Sequence, residues 1–279
     1  MNTWRLLYTP PSNGAWNMAV DESILEHIHR GESLPTLRLY AWDPPCLSLG
    51  HAQSFADVDM ERVNAHGWEV VRRVTGGRAI LHTDELTYSV TGGTEEPVLA
   101  GGVLESYNRI AQALLFAIRE LGLPVEMKEH ITEPAALNLN PVCFEVPSTY
   151  EITVNGKKLI GSAQARKKEG VLQHGSLPLT GDLTRICDAL IFKDEASREN
   201  ARERLLARAT TVESIISVKT DWETAAQAFV KGFESQLGIH FQRGEVPPLF
   251  GGKLSQSESE RAAELVKEKY ANPAWTERS

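Results

Sequence analysis

Several features that would narrow the chemistry at once are missing from this chain of 279 residues. No apolar run approaches the roughly 18 residues of a membrane span, and Met1-Asn2-Thr3-Trp4-Arg5 lacks the basic-then-apolar pattern of a signal peptide. A soluble, cytoplasmic protein is expected. The three cysteines, Cys46, Cys143 and Cys187, are an odd number at irregular spacing with no C-x-x-C among them. That leaves no zinc or dithiol signature and fits a reducing compartment. There is no Walker A loop, no G-x-G-x-x-G fingerprint, no H-E-x-x-H and no G-x-S-x-G nucleophile elbow. Basic residues are also short: 29 against 37 acidic gives a net charge of −8, which disfavours non-specific binding to nucleic acid or to an anionic membrane. Neither an internal repeat nor a low-complexity linker is visible.

What is present is a globular composition. Hydrophobic residues make up 42% of the chain, enough for one large domain, or for one domain and a small appendage. Met18, Val20, Ile24, Leu25 and Ile28 fall near helical spacing behind Asn13 and Gly14, which predicts an amphipathic helix from about residue 15 with its apolar face in the core. Thr36 to Tyr40 alternates as a strand and is ended by Asp43-Pro44-Pro45. A short helix is expected over residues 57–66, strands over 69–74 and 86–90, and a long helix over 103–121 stopped by Gly122 and Pro124. Residues 129–147 read as a loop carrying Cys143. Tyr150 to Val154, then Asn155-Gly156, then Lys158 to Ala163 is a β-hairpin signal, because Asn-Gly suits the two positive-φ positions of a type I′ turn. A strand over 170–179 follows, and from about Leu183 the pattern is helical, clearest over 222–237 and 258–270. Mixed strands first and helices last predict an α+β fold with a smaller helical end.

Three stretches carry candidate chemistry. In Arg72-Arg73-Val74-Thr75-Gly76-Gly77-Arg78-Ala79-Ile80-Leu81-His82 a strand runs into paired glycines among arginines. Glycines permit close backbone approach and arginines donate to phosphate or carboxylate, so this is an anion or acyl-carbonyl site in outline. The alternative is a glycine turn with solvated arginines. In Gly156-Lys157-Lys158-Leu159-Ile160-Gly161-Ser162-Ala163-Gln164, strand alternation puts Lys158 on the face of Ile160. An inward lysine needs a partner: it can bind an anion, stabilise an oxyanion or lower the pKa of a thiol. The alternative is an exposed hairpin lysine. Cys143, on a loop, is a candidate nucleophile toward a thioester, set against a buried inert thiol. Cys46 and Cys187 sit in apolar surroundings and read as core. His82 and His174 are possible proton carriers, although a lone histidine beside a strand is usually structural.

With these stretches in view, the chain closely resembles the lipoate-protein ligase A and octanoyltransferase family. The resemblance rests on Asn17-Met18-Ala19-Val20-Asp21-Glu22, Pro35-Thr36-Leu37-Arg38, Ser48-Leu49-Gly50, Arg72-Arg73-x-Thr75-Gly76-Gly77 and Lys158-x-x-Gly161-Ser162-Ala163-Gln164, and it covers nearly the whole length. It implies a mixed-sheet catalytic domain of the biotin/lipoate protein ligase type over residues 1–245, with residues 246–279 as a helical extension packed on it. It also implies an acyl tunnel lined by Arg72, Arg73, Gly76, Gly77, Arg78, His82, Gly161, Ser162 and Ala163. The implied acceptor is a lysine on a lipoyl domain or glycine-cleavage H protein.

The ATP-dependent ligases of this family typically carry a third glycine where this chain has Arg78, and a Tyr-His-Asp-x-Gly-Asn-like run where it has Leu81 to Leu86. Gly76-Gly77-Arg78-Ala79-x-Leu81-His82 and Cys143-Phe144-x-x-Pro147-Ser148-x-Tyr150-Glu151 instead look like the cysteine-dependent octanoyltransferases. The resemblance therefore implies a ping-pong acyltransferase. Cys143 would attack octanoyl-acyl carrier protein, Lys158 would steady the thiolate and the oxyanion, and backbone N–H groups near Ser162 and Ala163 would add donors. His82 would stand by the pocket. No metal and no nucleotide cofactor are expected, since a thioester already carries the activation. The other readings are an ATP-dependent lipoate or octanoate ligase, an amidotransferase between lipoyl domains, and a non-enzymatic module that binds lipoyl domains.

Overall fold

The structure, a computed structural model, describes residues 2–129, 150–242 and 252–278. The fold is α+β. An eight-stranded mixed sheet runs in the order β11-β1-β2-β6-β10-β9-β8-β7, where β1 is Asn2–Tyr8, β2 Thr36–Tyr40, β6 Glu85–Gly92, β7 Val125–Glu129, β8 Tyr150–Val154, β9 Lys157–Lys167, β10 Gly170–Pro178 and β11 Ile239–Gln242. β1 pairs in parallel with both β2 and β11, and the other neighbours are antiparallel. A second sheet of β4 (Glu69–Arg72), β3 (Cys46–Leu49) and β5 (Ile80–His82) stands beside it in the order β4-β3-β5.

Strand alternation sorts the core into layers. Leu37 and Leu39 of β2, with Trp4, Tyr88 and Val90, face the helices α3 (Val103–Glu120) and α6 (Trp222–Leu237) in one cluster that includes Leu114, Ile118, Phe229 and Phe233. Tyr40 and Leu7 belong to the opposite cluster, with Met18 and Ile24 of α1 (Gly14–His29) and Ala262 and Leu265 of α7 (Gln256–Leu265). The small sheet packs Leu47, Leu49 and Ile80 against α4 (Glu195–Arg208) and the 3-10 segment Leu183–Ala189. Cys46 and Cys187 are buried within these clusters, as their apolar neighbours led one to expect.

The expected helices and strands are found, with instructive departures. The Asn155-Gly156 turn has φ of 51° and 76°, as a type I′ turn requires. Beyond it, β8 and β9 pair Ile152 with Ile160 but Thr153 with Lys158, so Leu159 is the extra residue of a bulge. Leu159 and Ile160 then both enter one core cluster, and simple alternation from Ile160 does not fix the direction of Lys158. α6 packs on α3, and β11 adds to the sheet beside β1, so the helices after Leu183 are interleaved with the sheet and do not form a separate end. The loop expected over residues 129–147, apart from Glu129 at the end of β7, lies outside the described residues. So does the 245/246 boundary.

α1 is buried on its polar side too, because α7 and the following π-helical turn Val266–Tyr270 cover it. Glu258 of α7 accepts from both terminal nitrogens of Arg5 at 2.7 and 2.8 Å, and Tyr270 and Lys269 bond Glu22 of α1. Burial alone would raise the Glu258 carboxyl, but Arg5, the Ser255 backbone and Ser33 outweigh it and bring it from 4.5 down to about 2. A lowered folded-state pKa contributes stability that is complete above the ordinary value and lost as pH falls through the folded one. Glu258→Gln is therefore expected to cost on the order of 2 kcal/mol near pH 7 and to flatten the acid loss between pH 4.5 and about 2. Urea unfolding of both proteins across that range checks it. No helix among the described residues is long and apolar enough to cross a membrane.

Candidate active site

A small cavity, partly open to solvent, lies where the small sheet meets the large one. Its apolar part is made by Met18, Tyr40, Trp42 and Ile80, and its polar wall by Ser48, Arg73, His82, Ser162, His174 and Ser176. Elements far apart in sequence supply it: α1, β2, β3, β5, β9 and β10.

One wall is the loop after β4, held against the small sheet by Arg73. Its Nη1 donates to the Ser48 carbonyl at 2.9 Å and to Ser48 Oγ at 3.1 Å, while Nη2 donates to the carbonyls of Gly76 (2.9 Å) and Arg78 (2.8 Å). The Gly77 carbonyl rides directly over Gly50, where a Cβ would stand 2.0 Å from its oxygen. Ser48-Leu49-Gly50 must therefore end in glycine for the loop to seat. Thr75 Oγ1 is 2.6 Å from His174 Nε2, whose Nδ1 faces Asp21 at 3.7 Å. Asp21 in turn accepts from Arg38, Ser89 and Tyr40 at 2.8, 2.7 and 3.1 Å. Burial raises the Asp21 carboxyl, and Arg38 and His174 more than offset that. Burial lowers His174 despite Asp21, so its imidazole is neutral at pH 7. Asn17 to Glu22 and Pro35 to Arg38 are thus tied to the glycine loop through one buried network.

The opposite wall carries a second histidine. His82 Nδ1 lies 2.6 Å from Glu85 Oε1 and His82 Nε2 lies 2.7 Å from Ser48 Oγ. The ring stacks on Trp42, with centroids 4.0 Å apart and planes 9° apart. Trp42 Nε1 donates to Thr87 Oγ1 at 2.8 Å, and the Thr87 and Ser176 hydroxyls both bond Glu85. Burial raises the Glu85 carboxyl, but His82 and these hydroxyls bring it below its ordinary value. An ionised Glu85 only accepts, so His82 turns an Nδ1–H toward it, and His82 Nε2 faces the Ser48 hydroxyl.

Residues 13–234 match the family described as lipoyl protein ligase A/B catalytic domain. The chain belongs to that family. Relatives named octanoyltransferase LipM, from Moorella thermoacetica and Exiguobacterium sibiricum, are 40% and 39% identical over 277 residues each, covering 99% and 98% of this chain and 98% and 97% of theirs. Among solved structures, a lipoate-protein ligase A bound with ATP has a TM-score of 0.75 at 25% identity, with 99% of this chain and 98% of that one covered. The bi-partite lipoate protein ligase of Thermoplasma acidophilum reaches 0.78 at 24%, covering 99% and 97%, and establishes the same fold.

Within this lipoyl ligase fold the structure sorts the residues that the sequence singled out. Arg73, Gly77, His82, Gly161, Ser162 and Ala163 line the cavity; Arg72, Gly76, Arg78 and Lys158 are not part of its wall among the described residues. Cys143 lies outside the described residues. Arg72 is a correction to both readings of the arginine stretch, since it is neither solvated nor turned to an anion. It is fully buried and bonds the backbone carbonyls of Gly50, His51, Gln53, Thr276 and Arg278. Gly76 and Arg78 contribute through their carbonyls, which Arg73 holds. Lys158 is buried, as an inward lysine should be, and its carbonyl accepts from Thr210 N at 3.1 Å. Ser162 Oγ bonds Tyr88 Oη at 2.8 Å, and burial pushes Tyr88 up to about 12.

Met18, Tyr40, Trp42, Ser48 and His174 also line the cavity without having been placed there from sequence. The signal for most was position: Met18 and Ser48 fall in the family's motifs, and His174 was weighed as a proton carrier. Nothing local marks Trp42.

Proposed function

We propose that this chain is an octanoyltransferase that takes the octanoyl group from octanoyl-acyl carrier protein, holds it as a thioester on Cys143, and delivers it to a lysine of a lipoyl domain or H protein. The observation that carries the reading is identity near 40% along almost the whole chain with proteins named octanoyltransferase LipM. The cavity supports it: an apolar floor beside a wall of hydroxyl and imidazole groups suits a medium acyl chain ending in a reactive carbonyl.

The chemistry divides into two exchanges, the first between thioesters of similar energy and the second downhill to an amide. The Cys143 thiolate adds to the donor thioester carbonyl, the C–S bond to the carrier breaks, and the carrier thiolate leaves. The amine of the acceptor lysine then adds to the acyl-cysteine carbonyl, a C–N bond forms, and the Cys143 sulfur departs. Lys158 is assigned to the cysteine, favouring the thiolate and the developing oxyanion in a site poor in water. The cycle needs neither a metal nor a nucleotide. In favour of this form, Arg72 and Arg73 direct donors to the protein's own carbonyls. Both proposed protein substrates are soluble, which favours a cytoplasmic enzyme.

The test is an intact-mass spectrum after incubation with octanoyl-acyl carrier protein alone. The expected result is one octanoyl adduct, removed by hydroxylamine. Absence of the adduct, with transfer appearing only on addition of ATP and free octanoate, would overturn the reading.

A further inference from the structure

We propose that Ser48, His82 and Glu85 form a proton relay that deprotonates the acceptor lysine in the second half-reaction, with Ser48 and His82 catalytic and Glu85 and Trp42 positioning. This rests on the octanoyltransferase reading. A lysine has an ordinary pKa of about 10.4 and arrives as an ammonium ion, which has no lone pair with which to attack. Two of its protons must leave before the product amide, and only one can depart on the Cys143 sulfur. The other needs a base.

The cavity wall provides a group placed to take that proton. Ser48 Oγ accepts from Arg73 Nη1 at 3.1 Å and lies 2.7 Å from His82 Nε2, and in the relay its own hydrogen is turned to the imidazole. Both residues face the cavity. As the ammonium gives a proton to Ser48 Oγ, the serine proton passes to His82 Nε2. The imidazolium that results keeps its Nδ1–H on the Glu85 carboxylate 2.6 Å away. Trp42, stacked at 4.0 Å, holds the ring in place. The neutral amine adds to the acyl-cysteine, its next proton goes to the departing sulfur, and His82 returns its proton to solvent once the product has left. One acyl-cysteine and one ammonium yield one amide, one thiol and one proton.

The surroundings bear on this chain of groups from every side. Arg73 touches Ser48, His174 faces the cavity from β10 with Asp21 of α1 beside its Nδ1, Tyr40 on β2 stands within the reach of the Glu85 charge, and Asp84 beside Glu85 is bonded by Arg185. Glu85 is buried, and the Thr87 and Ser176 hydroxyls bond it beside His82.

The experiment measures the two half-reactions separately in wild type, Ser48→Ala, His82→Gln and Glu85→Gln. These are the rate of acyl-enzyme formation from octanoyl-acyl carrier protein and the rate at which that acyl-enzyme passes its group to an acceptor lipoyl domain. Acyl-enzyme formation is expected to change by less than about threefold, while transfer falls on the order of 10²–10³-fold at pH 7. The deficit should shrink as pH rises toward the lysine pKa. Deacylation by hydroxylamine, which is already neutral at pH 7, should proceed at the wild-type rate in all three variants. Equal losses in both half-reactions, no loss in transfer, or a deficit that hydroxylamine shares or that pH leaves unchanged would overturn the relay. A wild-type protein that forms no acyl-enzyme overturns the octanoyltransferase reading instead, and is told apart because it involves no variant.

Discussion

Serine in place of Cys143 is expected to lower octanoyl transfer on the order of 10³-fold or more and to leave no octanoyl adduct after incubation with octanoyl-acyl carrier protein. A thiol is a few per cent ionised at neutral pH and its anion is a strong nucleophile, whereas a serine hydroxyl needs a base aimed at it. The sulfur is also the leaving group of the second exchange. An ester on serine would surrender the acyl group to an amine far more slowly than a thioester does. The serine variant should therefore fail twice, and a small residue of slow ester formation would still not restore turnover. Steady-state transfer to a lipoyl domain, beside circular dichroism to show an intact fold, checks the prediction. Activity that survives, and that depends on ATP, would move the chemistry to an acyl-adenylate.

The local patterns that could be read from sequence are those set by short-range physics. Asn155-Gly156 announced the hairpin because only a positive-φ pair closes a two-residue turn, and the spacing of Ile110, Leu114 and Ile118 announced α3 because a helix repeats every 3.6 residues. The resemblance then supplied what local reasoning could not: the order of the motifs and the glycine loop as one wall of a site. Two things stayed hidden. Lys158 could not be aimed from its strand, because the bulge at Leu159 interrupts the alternation and a bulge leaves no mark in residue type. Ser48 meets His82 only through the long-range pairing of β3 with β5, and Trp42 stacks on His82 from the segment before β3; no spacing in the chain foretells either contact. Polar residues were the harder half throughout. Asn17, Asp21 and Arg38 are polar residues of a helix and a strand, yet they are fully buried in one hydrogen-bonded network.

The adjacent arginines of the glycine stretch give the sharpest separation of structure from chemistry, because consecutive strand residues point to opposite faces. Arg73 turns to the cavity and Arg72 away from it. Arg72 Nη1 reaches the carbonyls of Gly50 (2.9 Å), His51 (3.3 Å) and Gln53 (2.5 Å), and Nη2 those of Thr276 (2.9 Å) and Arg278 (2.8 Å). Trp275 Nε1 returns a bond to the Arg72 carbonyl at 2.8 Å. Burial, with Arg278 nearby, lowers the Arg72 guanidinium from its ordinary value, but it stays charged at any working pH. Arg72→Ala leaves these carbonyls without their donor and is expected to destabilise the fold by roughly 4 kcal/mol, read as a lower urea midpoint. Arg72→Lys should recover little, because an ammonium cannot span two groups of carbonyls as a planar fork does. Limited proteolysis should release the C-terminal segment in both variants before the sheet unfolds. The acyl-enzyme yield per folded molecule should remain near wild type, as it must if Arg72 fastens the C-terminus to the loop behind Gly50 and takes no part in binding the acyl group.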